Sequence, residues 1–199
     1  MWKWIVGAAV VLLVALVATC WYGYRRLTAG GDSATVTIAA SPDRVFGALA
    51  DPDSMAVWMG NGVTITASHH GVVVPGDSLL IERRAGGTTK AGNRYTWTVS
   101  EVVPSHLLVL QMRNDSSKQV FAMRRDSLVT AGDSTTVIST IASPAIDSMR
   151  VNRGDTGGKV QGAILDVGSK VMIAAFRLMS EQELKRLKAR LEGHAMPAM

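Results

Sequence analysis

The sequence is poor in the residues that announce common chemistries. Cysteine occurs once in 199 residues, as Cys20 within an apolar stretch. A single cysteine excludes an intrachain disulfide and a thiolate zinc site. Histidine occurs four times, at His69, His70, His106 and His194. His69 and His70 are neighbours at a strand end, so they project to opposite faces and are poorly placed to grip one metal. Charge of one sign is also scarce. The formal charge is +5, but Lys3, Arg25 and Arg26 flank the apolar stretch, and without them the basic excess over 16 acids is only +2. So even a balance argues against nucleic acid as a partner, which requires a clustered basic face. Gly86-Gly87-Thr88-Thr89-Lys90 is glycine-rich but lacks phosphate-loop spacing and has no helix after it, so it reads as a hairpin loop.

There is one long hydrophobic run. Ile5 to Tyr24 is twenty residues without a formal charge. At about 1.5 Å per helical residue it spans a hydrocarbon core of about 30 Å. Trp2 and Trp4 stand at one end and Trp21, Tyr22 and Tyr24 at the other, as interfacial rings do. A cleavable signal peptide would have a shorter apolar core and a better small-residue site than Ala18-Thr19-Cys20. The residues around Cys20 fit lipoprotein processing badly, and a buried core helix rarely carries aromatic belts at both ends. The run therefore reads as an uncleaved, single-pass membrane anchor. Arg25 and Arg26 outnumber Lys3, which leans the following domain toward the cytoplasmic side. The expected organisation is an anchor over residues 1–26, a linker over 27–33, one domain over 34–193 and a disordered tail over 194–199.

Beyond the linker, Ala34–Ala40 alternates Val36 and Ile38 with threonines, the pattern of a half-buried strand. Ser41-Pro42-Asp43 supplies an N-cap, a first-turn proline and an early acid. Val45, Phe46, Leu49 and Ala50 then recur at helical spacing. Asp51-Pro52 ends that helix, because the residue before proline avoids the α region. Asp53–Trp58 forms a second short helix. Period-two segments follow at Val63–Ser68, Ser78–Arg84, Arg94–Val103, His106–Arg113, Gln119–Val129 and Ser134–Ser143, separated by turn-forming clusters. Such a succession with short connections is an antiparallel meander. Lys159–Glu192 is one long helix with an apolar stripe through Val160, Ile164, Val167, Val171, Ala174, Ala175, Leu178 and Met179, continued by Leu184, Leu187 and Leu191. Lys185, Arg186, Lys188 and Arg190 read as a solvated helix end, balanced by Glu181, Glu183 and Glu192.

Little here points to catalysis. Gly76-Asp77-Ser78-Leu79 spells the tag of a lipase/esterase family, but the downstream Asp and His which that chemistry needs are missing, so Ser78 has no base. Glu82, Arg83, Glu101, Arg113 and Arg124 lie within strands and are expected mostly on the convex face. Any that pointed inward would need a partner and would be a candidate polar anchor.

Three segments carry a family resemblance: SPDRVFGALADPDSMAVW at Ser41–Trp58, RYTWTVSEVVPSHLLVLQM at Arg94–Met112, and EQELKRLKARLE at Glu181–Glu192. With the element order, they resemble the START-like (SRPBCC, Bet v 1-like) superfamily, which includes the polyketide cyclase/dehydrase and lipid-transport group. The resemblance implies an α+β helix-grip fold: a curved antiparallel sheet of about seven strands around the long C-terminal helix, with two short lid helices and an apolar cavity between. It implies binding of an apolar small molecule or lipid, with a polyketide cyclase/dehydrase-type enzyme or a regulatory, protein-binding module as alternatives, and no cofactor. Candidate cavity residues are Trp58, Met59, Tyr95, Trp97, Met112, Met123, Met172 and Met179. Trp58 and Met59, at the far end of the lid, are also candidates for a ligand gate.

Overall fold

The computed structural model describes residues 18–19, 21–24, 31–60, 62–84, 93–113, 120–144 and 159–194. Of the expected anchor, only 18–19 and 21–24 fall among these, and they are helical. The rest of the anchor, most of the linker, the Gly86–Lys90 loop and nearly all of the tail lie outside the described residues. Among the described residues no helix is long and apolar enough to cross a membrane.

The chain begins its domain with β1 (Ser33–Ile38), followed by helices α1 (Pro42–Ala50) and α2 (Pro52–Trp58). Six strands follow: β2 (Val63–Ala67), β3 (Ser78–Arg83), β4 (Asn93–Val103), β5 (Leu107–Arg113), β6 (Val120–Ala131) and β7 (Ser134–Ala142). Helix α3 (Lys159–Glu192) closes the order. The seven strands form one sheet in the order β1-β7-β6-β5-β4-β3-β2, and every neighbouring pair is antiparallel. Strands β2 to β7 are thus a simple meander, and β1 joins its far edge. The curved sheet and the C-terminal helix make a helix-grip fold.

Local chemistry explains the lid. Ser41 caps α1, its hydroxyl accepting from the Arg44 amide at 3.4 Å, and Pro42 occupies the first turn. Asp51 both ends α1 and caps α2, its carboxylate accepting from the Ser54 amide at 3.0 Å, with Pro52 next. Neither proline has an amide to lose, and both leave their predecessors extended. Asp51→Ala is therefore expected to lower the unfolding free energy by about 1 kcal/mol, measured by urea denaturation. The lid is tied to the sheet by the Ser105 hydroxyl, which donates to Asp43 from the β4–β5 turn. Ser105 sits there at φ +62°.

Two features of the sheet were not legible as simple alternation. Register shifts between Val99 and Glu101, where β4 bulges against β5. Strict alternation from Tyr95, Trp97 and Val99 would carry Glu101 inward. The extra residue, Ser100, resets the parity, so Glu101 is exposed and Val102 turns toward the core. In β6 the buried residues are Ala122, Arg124, Asp126 and Leu128. The charged pair therefore faces inward, while Phe121 and Val129 are exposed.

Helix α3 departs from the expected stripe. Leu184 and Leu187 are buried and Leu191 half-buried, but Val167, Val171, Ala175, Leu178 and Met179 are exposed. The side chains of Val160 and Ile164 lie outside the described residues. The helix packs mainly on β1, with further contacts to β7, α1 and α2. Lys188 donates to the Thr37 carbonyl at 2.8 Å and Glu192 accepts from the Ala39 amide at 2.8 Å. Two residues assigned to a solvated helix end, Glu183 and Arg186, are instead buried.

Candidate functional site

The inner faces of the sheet, the lid and α3 enclose a cavity of about 370 Å³. Its wall is mostly apolar. Leu79 and Ile81 come from β3, Leu110 from β5, and Leu49 and Met55 from the lid. Of the residues expected at a cavity, Trp58, Met59, Tyr95, Trp97, Met112 and Met179 line it. Met123 and Met172 are not among the lining residues. Met123 pairs with Gln111 and Ala142 and alternates with the buried Ala122 and Arg124, so its strand parity turns it to the other face. Met172 lies on α3, half-buried, one turn before Phe176, where the cavity-lining residues of the helix begin. Trp58 is 2% exposed and Met59 8%, which makes them wall residues packed inside the lid.

Strand parity brings together a charged network that the sequence did not foretell. Arg124 Nε donates to both Asp126 oxygens at 3.1 and 2.9 Å, and Nη1 donates to Glu183 Oε2 at 2.7 Å. Arg83 reaches the other Glu183 oxygen at 3.5 Å, and its charge partly counters the rise that burial gives the Tyr95 pKa. The Trp58 ring lies 5.6 Å from the Arg124 guanidinium carbon, a cation–π contact, and its indole N–H donates to the Ala48 carbonyl at 2.9 Å. Burial opposes the charge on Arg124, but the carboxylates of Asp126 and then Glu183 outweigh it and raise its pKa further, so the guanidinium stays protonated. Burial raises the Tyr95 pKa, so the phenol keeps its proton at neutral pH.

Arg124 stood among the strand charges whose direction the sequence left open. Asp126 and Glu183 were missed. The available signal was the parity of Ala122 and Leu128, which was masked by the apolar Phe121, Met123 and Val129 on the opposite face.

Outside the cavity, the Asp77 carboxylate organises the loop between β2 and β3. It accepts from Ser68 Oγ at 2.9 Å and from the Val74 amide at 2.7 Å, and His69 Nδ1 lies 2.9 Å away. Partial burial alone would raise its pKa, but the Val74, Ser68 and His69 contacts together lower it. A carboxyl with a lowered folded-state pKa contributes stability that is complete above its unfolded value of about 4 and drains away as pH falls below that. Asp77→Asn is therefore expected to be less stable than the parent at neutral pH, with the gap narrowing in acid. Denaturation midpoints across an acid series check this. Among the described residues no group of three or more His, Cys, Asp or Glu is arranged to hold a metal ion.

Comparison with known proteins agrees with the fold. The family model described as polyketide cyclase/dehydrase and lipid transport matches residues 33–192. No curated protein matches the chain. Among solved structures, the Aha1 dimer from Colwellia psychrerythraea is 19% identical, with a TM-score of 0.51 over 80% of this chain and 94% of that one. A protein from Arthrobacter aurescens is 14% identical, with a TM-score of 0.54 over 82% and 86%. A protein from Chromobacterium violaceum is 18% identical, with a TM-score of 0.51 over 80% and 97%. At these identities the structures share the fold alone. The matched residues run from β1 through α3, and the chain belongs to the polyketide cyclase/dehydrase and lipid transport family.

Proposed function

We propose that the protein binds an apolar small molecule or lipid in its internal cavity, without chemistry, and is held at a membrane by its N-terminal apolar segment. The observation that carries the binding reading is the cavity of about 370 Å³ between lid, sheet and α3, apolar except for the charged network, Tyr95, Arg94 and Ser180. Concave, mainly apolar sites of about 300–1,000 Å³ with a few placed polar groups are where small molecules bind. The tether rests on the length and flanks of Ile5–Tyr24, and the excess of Arg25 and Arg26 over Lys3 favours the cytoplasmic side for the domain by one charge. Native mass spectrometry of the full chain, with lipid extraction of the same sample, tests binding. One stoichiometric apolar adduct is expected, and a protein that neither carries nor takes up such a molecule would sink the reading. A reporter fused to the C terminus tests the membrane side.

A cyclase/dehydrase-type enzyme is the second reading, favoured by the presence of Tyr95, Asp126 and Glu183 in the cavity wall. General acid–base work needs a group free to exchange a proton with the substrate. Here both carboxylates are engaged by arginine, which favours binding over turnover.

A further inference from the structure

The charged network leaves two buried donors over among the described residues, Arg83 Nε and Arg124 Nη2, and of these two arginines only Arg124 lines the cavity. Arg124 is 5% exposed and lines the cavity, its Nε and Nη1 are committed to Asp126 and Glu183, and Nη2 is buried without a hydrogen-bond partner among the described residues. A buried guanidinium N–H without an acceptor is costly, and a ligand that supplies one gains a charge-assisted hydrogen bond.

The charge count decides what kind of acceptor fits. Arg83 and Arg124 balance Asp126 and Glu183, and Arg94, the remaining charged lining residue, is paired with Glu82 at 3.4 Å, so the wall is neutral as it stands. Arg186, one turn beyond Glu183, is turned to the Met59 carbonyl at 3.4 Å and is not among the lining residues. An ionised ligand head would add an unbalanced charge beside two carboxylates in a mostly apolar wall. A neutral oxygen accepts from Nη2 without that cost.

We propose that Arg124 is the polar anchor of the cavity and that the ligand is a neutral amphiphile. Its ester, ketone or hydroxyl oxygen accepts from Nη2, and its apolar body runs along Leu110 and Phe176 toward the partly exposed Met179. The inference rests on the cavity-binding reading and deepens it by naming the ligand's class.

Equilibrium binding of three radiolabelled probes of similar size tests it: methyl decanoate, ionised decanoate and dodecane. The full chain is used in nanodiscs, with uptake by empty discs subtracted. Methyl decanoate is expected to bind about tenfold tighter than either of the others. In Arg124→Lys, which keeps the charge but lacks the planar fork, the advantage of the ester over dodecane is expected to shrink. If that variant does not fold, the ranking in the parent decides. Equal binding of ester and dodecane would overturn the anchor while leaving the cavity reading intact. Tightest binding of decanoate would overturn the neutral-ligand assignment. No uptake of any probe would overturn both this inference and the binding reading beneath it.

Discussion

Replacing Arg124 by leucine is expected to lower the unfolding free energy by about 3–5 kcal/mol, because it strands two carboxylates inside the fold. Asp126 is 1% exposed and Glu183 is 5% exposed. Both Asp126 oxygens take their hydrogen bond from Arg124 Nε, and Glu183 Oε2 takes its from Nη1. Arg83 keeps hold of Glu183 Oε1 alone, at the longer distance of 3.5 Å. Removing one member of a buried network differs from removing the network. In a quadruple variant, Arg83→Met and Arg124→Met with Asp126→Leu and Glu183→Leu, no charge of the network is left uncompensated. Its stability is expected near that of the parent or up to about 4 kcal/mol above it, since buried ion pairs seldom outperform well-packed apolar residues. Guanidinium denaturation of parent, single and quadruple variants checks both halves. A single variant as stable as the parent would show that the three groups are not coupled. The same contrast locates the network's purpose. If it is dispensable for stability, its retention in the cavity wall belongs to recognition of what the cavity holds.

Replacing Trp58 by alanine is the second large expected loss, about 3–5 kcal/mol. The residue is 2% exposed and lies among the largest side chains of the core. Three contributions are removed together. The ring's apolar area is lost, the Ala48 carbonyl near the end of α1 loses the indole N–H at 2.9 Å, and the Arg124 guanidinium loses the ring 5.6 Å from its carbon. Because Trp58 also lines the cavity, the loss of volume enlarges the binding space. Trp58→Phe separates the terms in part, since it retains one ring near Arg124 while removing the N–H and the remainder of the indole. It is expected to cost about 1–2 kcal/mol, mainly from the carbonyl left without its donor. Thermal unfolding ranks the three proteins. Native mass spectra of the alanine variant are expected to show bulkier adducts than those of the parent.

How much of this was legible in the sequence differs by element. The lid was readable at the Ser41 cap and the Asp51-Pro52 break, because capping and proline effects act within three positions, while the second role of Asp51, capping α2 through Ser54, came from the structure. Strand positions were readable to within one or two residues, because turns in this chain are marked by glycine, proline, asparagine and aspartate. The site was only partly readable. Tyr95, Trp97 and Met112 line the cavity because they are large and lie on the inward parity of their strands. Met123 has the flexible thioether that suits a cavity, but it alternates with the buried Ala122 and Arg124, and its parity turns it to the other face. The apolar stripe of α3 continues well beyond the stretch that the sheet covers, so periodicity alone overstated the buried face.

By itself, the sequence determined the order of elements, the caps, the turns and the presence of one long apolar run. These follow from interactions between residues a few positions apart. Only the tertiary structure decided which face of β6 is inside, that Ser100 resets the parity of β4, and that Glu183 meets Arg124 across 59 positions of chain. The physical reason is that strand parity is fixed by pairing with β5 and β7 and by what the helix covers. An arginine in an alternating segment is equally at home in water or beside two carboxylates, and the partner that settles the choice lies on α3.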